Sequence, residues 1–223
     1  MRTGALLSMV ALPIWLAAQT HDPGFNGSGY LNIDVDNYDT GHGVVATGAA
    51  IYLASVSNTL DGETRLLVSA RNSDGSPQNA FGTNGQLMIE APGMGWIYPM
   101  LKALPDGSLI LAAMHTTDDT HDVAVMHLSA NGVLDNSFGV GGSVLIDRGP
   151  IDALQDLLVL PAGHIALLTH SPGTTSAITL LMPNGAPMSG YGTGGTAALP
   201  LGVYAQSLTE APAQGLWVSG MGW

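Results

Sequence analysis

The chain lacks cysteine and has few basic residues. Without cysteine an exported chain has no disulfide support, which suits a bacterial envelope or secreted protein better than a small eukaryotic extracellular domain. Lys and Arg together number 5 against 17 Asp and Glu, and the formal net charge at pH 7 is −12. Nucleic acid and anionic membrane surfaces are therefore poor candidates as partners, because both bind clustered Lys and Arg.

Helical periodicity is also missing after residue 18. No long stretch places apolar residues every 3.6 positions, as an amphipathic helix would. Short apolar or alternating runs are separated instead by turns that hold most of the 13 prolines and 30 glycines. The sequence therefore predicts an all-β chain.

The first 18 residues have the pattern of a signal peptide. Arg2 gives a positive start, Gly4 to Ala18 are almost wholly apolar, and "LAAQT" offers small residues for cleavage after Ala18. This run is short for a membrane span, which needs about 20 residues. A buried core helix is the alternative, but Pro13 argues against it. We interpret residues 1–18 as a signal peptide and 19–223 as one repeat domain, exported to the cell envelope or the medium. No membrane anchor is visible in the sequence.

One short motif recurs four times along the domain. In three copies an Asn/Asp-Gly pair is followed six residues after its glycine by an aromatic residue, and another glycine lies four residues further on. The first copy lacks the leading pair. The aromatic residues are Phe25, Phe81, Phe138 and Tyr191, at intervals of 56, 57 and 53 residues. We expect the aromatic residue to anchor the junction between repeats. The last glycine should have a positive φ, which penalises other residues by about 1–2 kcal/mol.

Each period contains four short strands. In residues 75–131 these are "QLMIE", "IYPMLKAL", "SLILAAM" and "VAVMHLS", and the third is apolar enough to be buried on both faces. The first period begins in the same way with "YLNIDV". Such units fit the blades of a β-propeller, which are stable only when stacked. We predict a propeller-like array of four-stranded antiparallel blades, with repeats at about 19–74, 75–131, 132–184 and 185–223.

The last repeat is short. Only 33 residues run from Tyr191 to Trp223, so the last sheet would have an exposed edge, which is an aggregation hazard. We expect this chain to be part of a longer reading frame. Alternatively, four blades close with an incomplete last sheet, or a second chain supplies the missing strand.

The repeat resembles a known family. "DGSPQNAFGTNGQLMI", "NGVLDNSFGVGGSVLI" and "HDPGFNGSGYLNI" are similar to the delta-60 repeat, a D-G-x-L-D-x-S-F-G-x-x-G run that leads into a strand. "ALPDGSLILAA" and "VLPAGHIALL" resemble the later strand-turn-strand segment of the same family. The resemblance covers residues 21 to 223 and implies a bacterial exported β-propeller-like repeat protein with no defined reaction.

The chain departs from the family pattern at one position. The family often has an arginine shortly before the Asp-Gly turn, but here Arg71 is one residue out of step. His127 and Leu180 occupy that place in the other copies. A shared role for this arginine is therefore not expected.

Two loops contain residues that could hold a metal ion. "DVDNYDTGHG" offers oxygen ligands of the kind that Ca²⁺ prefers, although the glycine and glutamate of an EF-hand loop are missing. "HTTDDTHD" combines imidazole and carboxylate groups, which suit zinc. Solvated polar turns are the alternative for both, and His170 has no acidic cluster beside it in the next repeat. The candidate ligands are Asp34, Asp36, Asn37 and Asp39 in the first loop, and His115, Asp118, Asp119, His121 and Asp122 in the second.

No other pattern indicates a reaction. There is no G-x-S-x-G elbow, and "GVGG" and "GTGG" carry no lysine and lead into no helix. Trp96, Tyr98, Trp217 and Trp223 could stack on sugars or serve in the core. We assign no catalytic, cofactor-binding or metal residues and no cofactor. The sequence favours a non-enzymatic binding or structural module with an unknown protein or glycan partner. The rival is a propeller-type hydrolase, a lactonase or glycan-active enzyme with its site at the central channel.

Overall fold

The computed structural model describes residues 22–35, 37–90, 95–117, 119–173, 175–212 and 215–222. The expected signal peptide, residues 1–18, lies outside these ranges. Every regular element within them is a β-strand, and none of the described residues belongs to a helix long and apolar enough to cross a membrane. The prediction of an all-β chain is confirmed.

The described strands form three four-stranded sheets and one two-stranded sheet, all antiparallel. Sheet A contains β1 (Tyr38–Ala46), β2 (Ile51–Asn58), β3 (Thr64–Arg71) and β4 (Gln86–Ile89); sheet B contains β5 (Gly95–Ala103), β6 (Leu109–Thr116), β7 (His121–Leu128) and β8 (Ser143–Ile146); sheet C contains β9 (Ala153–Val159), β10 (Ile165–His170), β11 (Ser176–Leu181) and β12 (Thr196–Ala198); and sheet D contains β13 (Val203–Ala211) and β14 (Gly215–Gly222).

Sheets and sequence repeats are offset by one strand. We expected the four strands of one repeat to form one sheet, but the first strand of each later repeat (β4, β8 or β12) pairs with the preceding sheet. The reason is local: the motif around Phe81 folds back on the end of β3, where the amide of Ala70 donates to the carbonyl of Gly85 at 2.8 Å. Neighbouring strands joined by a short connection pair readily. "YLNIDV" forms no strand among the described residues.

The sheets pack face to face in chain order. On β6, Leu109 and Leu111 face a core shared with sheet A, whereas Ile110 and Ala112 face a core shared with sheet C. All four side chains are at most 1% exposed, so the prediction that the third strand is buried on both faces is confirmed. Burying each large side chain contributes about 1.5–3 kcal/mol. A third core joins sheets C and D.

The first strands of the four sheets lie next to one another. β1 contacts β5, β5 contacts β9, and β9 contacts β13. These four strands therefore follow one another along one side of the stack, where each forms an edge of its own sheet. We call this side the inner edge.

The aromatic motif connects each repeat to the next. The amide after the aromatic residue donates to the carbonyl of the Asn or Asp that precedes the turn glycine of the following repeat. This bond joins Asn26 to Asp74 at 2.6 Å, Gly82 to Asn131 at 2.8 Å and Gly139 to Asn184 at 2.9 Å.

The aromatic ring and the turn glycine form the other half of this connection. Phe81 and Phe138 are 0% and 1% exposed. A Cβ atom on Gly132 would lie 2.8 Å from the ring of Phe81, and one on Gly185 would lie 3.1 Å from the ring of Phe138. We call the ring, the following amide and the turn glycine of the next repeat an aromatic joint.

The last glycine of each motif has the predicted conformation. Gly29, Gly85, Gly142 and Gly195 have φ values of 82°, 79°, 91° and 86°. The amide of Gly85 donates to the carbonyl of Phe81, and the amide of Gly142 donates to that of Phe138, both at 3.0 Å. The positive φ closes this turn below the ring, and a side chain would penalise it.

Candidate functional site

Each inner-edge strand carries one extra residue at the same register. On the strand next to each inner-edge strand, four consecutive residues are paired before the register shifts at the bulge. The first of these four residues is Ile51, Leu109, Ile165 or Leu216. Bulges re-aim a side chain and are common beside binding and active sites. The residues at the four bulges are His42, Tyr98 (with Pro99), Gln155 and Gln206, which we call the bulge row.

His42 and Tyr98 are in contact across the first two sheets. Their rings meet edge to face with centroids 5.5 Å apart, and the side chain of Tyr98 is 56% exposed. Tyr98 has φ = 51°, a conformation uncommon for a residue with a side chain and often found at functional sites. Burial lowers the pKa of His42, so its imidazole is neutral at pH 7. The pair presents an exposed aromatic surface with hydrogen-bonding groups.

Polar contacts continue the row between the last two sheets. The hydroxyl of Tyr204 donates to Oε1 of Gln155 at 3.3 Å. Oδ2 of Asp156 accepts bonds from the hydroxyl of Ser207 at 2.9 Å and from the amide of Leu208 at 2.7 Å. These bonds hold β9 and β13 together directly beside their bulges, so the two glutamines sit on a fixed framework.

The position recurs at all four members of the bulge row, but no single residue type occupies all four. Histidine, tyrosine and two glutamines can stack on a ligand and exchange hydrogen bonds with it. A repeated acid or histidine would indicate a shared reaction, and the row has none. Sequence reasoning missed this site because a single extra residue in a strand changes neither the turn signals nor the apolar pattern.

Asp39, in the candidate calcium loop, forms a hydrogen bond within the chain. Its Oδ2 accepts a bond from the amide of Val35 at 2.8 Å, which fastens the chain where it enters β1. Asp34 and Asn37 are exposed, and Asp36 lies outside the described residues. Asp152, at the matching place before β9, accepts a bond from the amide of Arg148 at 2.5 Å. The repeated bond identifies a structural role for the two carboxylates.

The residues of the candidate zinc loop lie in two different environments and do not form one site. His115 packs against Trp96, with ring centroids 4.7 Å apart, while Asp119 is exposed and Asp118 lies outside the described residues. Asp122 instead lies near Asp147 and Asp152. Within the described ranges, this is the one group of three His or acidic side chains whose oxygen or nitrogen atoms lie within 4.8 Å of one another.

Asp122, Asp147 and Asp152 form an acidic cluster in which the pKa of Asp122 is shifted. Burial, and then the negative charges of Asp147 and Asp152, raise the pKa of Asp122. Asp152 is fully buried, and its Oδ1 accepts a bond from the hydroxyl of Ser171. The three residues are not adjacent in the sequence, because Asp147 and Asp152 come from the link between sheets B and C.

Arg148 fastens that link to sheet C. Its guanidinium donates to Oγ1 of Thr169 at 3.0 Å and to the carbonyl of Thr175 at 3.2 Å. The side chain of Asp152 and that of Arg148 are thus both engaged with the chain itself. These bonds explain the cluster as part of the connection between two sheets.

The candidate sugar-stacking residues do not form one surface. Trp96 is 7% exposed and belongs to the core between sheets A and B. Tyr98 and Trp217 are exposed, but they lie on sheets B and D with sheet C between them. Trp223 lies outside the described residues. Tyr98 alone among these residues belongs to the bulge row.

No family model, curated protein or solved structure matches this chain. The resemblance to the delta-60 repeat therefore stays a prediction. The fold itself is a stack of antiparallel sheets joined at regular intervals.

Proposed function

We propose that this chain is an exported, non-enzymatic β-propeller-like repeat module that acts as a binding or structural scaffold at the bacterial cell surface or outside the cell. The observation that carries the proposal is the bulge row: one re-aimed polar or aromatic side chain per sheet, at a constant register, with three residue types at the four positions. A rigid framework that presents variable side chains is a typical binding design. Face-to-face packing and adjacent first strands support a propeller-like arrangement.

The ligand class that best fits the bulge row is a glycan. An exposed tyrosine supplies a flat apolar face, and two glutamines and a neutral histidine supply donors and acceptors for hydroxyl groups. The low content of basic residues argues against phosphate-rich ligands. The alternative ligand for the bulge row is a protein.

A glycan-binding screen tests this function. The purified full chain is applied to immobilised polysaccharides, and Tyr98→Ala is compared with Trp217→Ala, which removes an exposed aromatic residue that is not a member of the row and is separated from Tyr98 by sheet C. We expect saturable binding that Tyr98→Ala weakens about tenfold, since 1.4 kcal/mol of lost contact gives this factor. Trp217→Ala should bind normally. Equal loss in both variants, or binding to neither glycans nor envelope proteins, would contradict the proposal.

A propeller-type hydrolase is the second candidate function, and Asp122 is the residue that favours it. A carboxyl with a raised pKa can act as a general acid, and Asp122 lies beside two further carboxylates. A panel of lactones, esters and glycans would distinguish the candidates. Turnover that disappears in Asp122→Asn but persists in Asp119→Asn would favour the hydrolase.

Export has a separate test. N-terminal sequencing of the protein recovered from the medium or envelope of a producing bacterium should begin at Gln19, directly after the predicted cleavage site. A product that stays inside the cell and begins at the first residues would contradict export.

A further inference from the structure

Sheet D leaves an apolar cleft open beside the fourth aromatic residue. The cleft has a volume of about 870 Å³ and lies between sheets C and D. Apolar side chains form most of its wall, and Glu210 and His164 lie at its polar part. The apolar lining includes Leu160, Met188, Tyr191, Leu199, Leu216 and Val218.

The two preceding joints show what fills this place elsewhere. Phe81 and Phe138 are covered by the turn glycine of the next repeat. The strand that leads into that turn ends at Leu128 in sheet B and at Leu181 in sheet C, and both leucines are fully buried. Leu128 pairs with Leu109, and Leu181 pairs with Ile165.

Sheet D has the residues against which such a strand and turn would pack. Leu216 occupies the position of Leu109 and Ile165, because it pairs with a residue two positions before the turn proline, as they do. β14 has β13 as its partner in the sheet and no second partner among the described strands. Tyr191 is only half-buried. The space that a strand and turn fill at the other joints is the cleft.

The backbone that would bind the turn is already shaped for it. Gly192 has φ = 55°, close to the 53° of Gly82 and the 58° of Gly139, whose amides donate to the Asn carbonyl of the next turn. The amide of Tyr191 donates to the carbonyl of Met188 at 2.9 Å, as that of Phe138 does to Asp135. The local geometry of the fourth motif therefore matches that of the occupied joints.

We propose that the free edge of β14 and the cleft at Tyr191 bind a β-strand that ends in an Asn/Asp-Gly turn, of the same type as the strand and turn at residues 121–132. The strand adds antiparallel to β14, an apolar residue lies opposite Leu216, and the turn glycine lies on the ring of Tyr191. The amide of Gly192 donates to the carbonyl before that glycine. This interaction is separate from ligand binding at the bulge row.

A peptide with the sequence of residues 120–137, "THDVAVMHLSANGVLDNS", tests the proposal with the unmodified full chain. It contains the strand and turn that cover Phe81. The matched control peptide carries Gly132→Val, which places a side chain at the ring and at a positive φ. Calorimetry should show saturable binding of the first peptide and about tenfold weaker binding of the control, since the conformation alone penalises valine by about 1–2 kcal/mol.

Hydrogen exchange locates the bound peptide. Amides of residues 215–222 and of Gly192 should gain protection, as expected for an added strand. In the protein, Tyr191→Ala should weaken binding, whereas Trp217→Ala, on the opposite face of β14, should not. The peptide comparison uses the unaltered chain, so it stands even if Tyr191→Ala does not fold.

Three results would overturn this assignment. They are no binding of the peptide, equal binding of the Gly132→Val or a scrambled peptide, and protection confined to regions other than β14 and Gly192. Equal binding of a scrambled peptide would show that the cleft accepts apolar chains without recognising a strand. Failure of glycan binding at the bulge row would leave these outcomes unchanged, because the two sites share no residue.

Discussion

At the scale of single residues, the aromatic joint concentrates stability in very few side chains. Phe138 is 1% exposed and packs against His127, with ring centroids 5.8 Å apart, and against the turn glycine Gly185. We predict that Phe138→Ala lowers the free energy of unfolding by about 3–5 kcal/mol, the usual cost of emptying a buried aromatic site. Urea denaturation measures this, and Phe25→Ala, at a half-buried position, should cost less. Equal losses would argue against the joint as described.

The turn glycine is the second residue of the joint whose role can be isolated. Gly132→Ala introduces a Cβ atom 2.8 Å from the ring of Phe81 at φ = 71°. Gly141→Ala is the matched control, because Gly141 has φ = 62° but no atom within 4 Å of the added Cβ. Both substitutions carry the conformational cost of about 1–2 kcal/mol, and Gly132→Ala adds the steric conflict with the ring. Denaturation midpoints that fall equally in the two variants would contradict the contact.

Asp135 affects how the stability of the fold changes at acid pH. Hydrogen bonds from the hydroxyl and amide of Ser137, followed by one with His127, lower the pKa of Asp135 to about 2. A carboxyl with a lowered folded pKa stabilises the fold above its unfolded value, about 4, and loses that contribution as the pH falls toward about 2. Asp135→Asn should therefore flatten the melting temperature between pH 4 and pH 2, relative to the unaltered chain. Identical pH profiles would contradict this pairing.

At the scale of elements, strands differ in how completely they are covered. β6 lies between two strands and between two cores, whereas β14 has, among the described strands, only β13 beside it, and one core below it. Hydrogen exchange should therefore be slowest in β6 and β10 and much faster in β14, since local opening is easiest where few contacts are lost. Mass spectrometry of peptide fragments measures this order. Exchange of β14 as slow as that of β6 would contradict the position of β14 as an edge.

At the scale of the whole molecule, charge opposes compaction. With 17 acidic and 5 basic residues, the folded chain repels itself at neutral pH. We predict that raising NaCl from low to moderate concentration increases the melting temperature at pH 7, because salt screens repulsion between surface charges. The increase should be smaller near pH 4, where part of the carboxylates are neutral. A melting temperature independent of salt at pH 7 would contradict this balance.

How much of the molecule the sequence could predict depends on whether the cause was local. The all-β class, the positive φ of glycines such as Gly85, and the double burial of the strand at Leu109–Thr116 are all set by nearby residues and were predictable. The offset between repeats and sheets was not, because the apolar pattern of β4 is compatible with pairing on either side. "YLNIDV" forms no strand, since strands at its place pair with a preceding sheet and the described residues contain none before sheet A.

The candidate sites were also predictable only where neighbouring residues in the sequence determine them. Asp122 was among the sequence candidates, but its neighbours Asp147 and Asp152 both come from the connection between β8 and β9, more than 20 residues away in the sequence. The bulge row depends on counting paired residues in four strands, which only coordinates allow. Residue identity, which is what a sequence displays, is not constant along the row: it changes from histidine to tyrosine to glutamine.

The one-strand offset has a consequence for how such a molecule can grow. Sheets A, B and C each draw their strands from two successive periods of the chain, so that each period after the first is hydrogen-bonded into two neighbouring sheets. A duplicated gene segment one period long, joined at equivalent turns, would thus insert a complete layer and leave the hydrogen bonding of the older layers intact. Lengthening by whole layers is the simplest route of change open to this architecture.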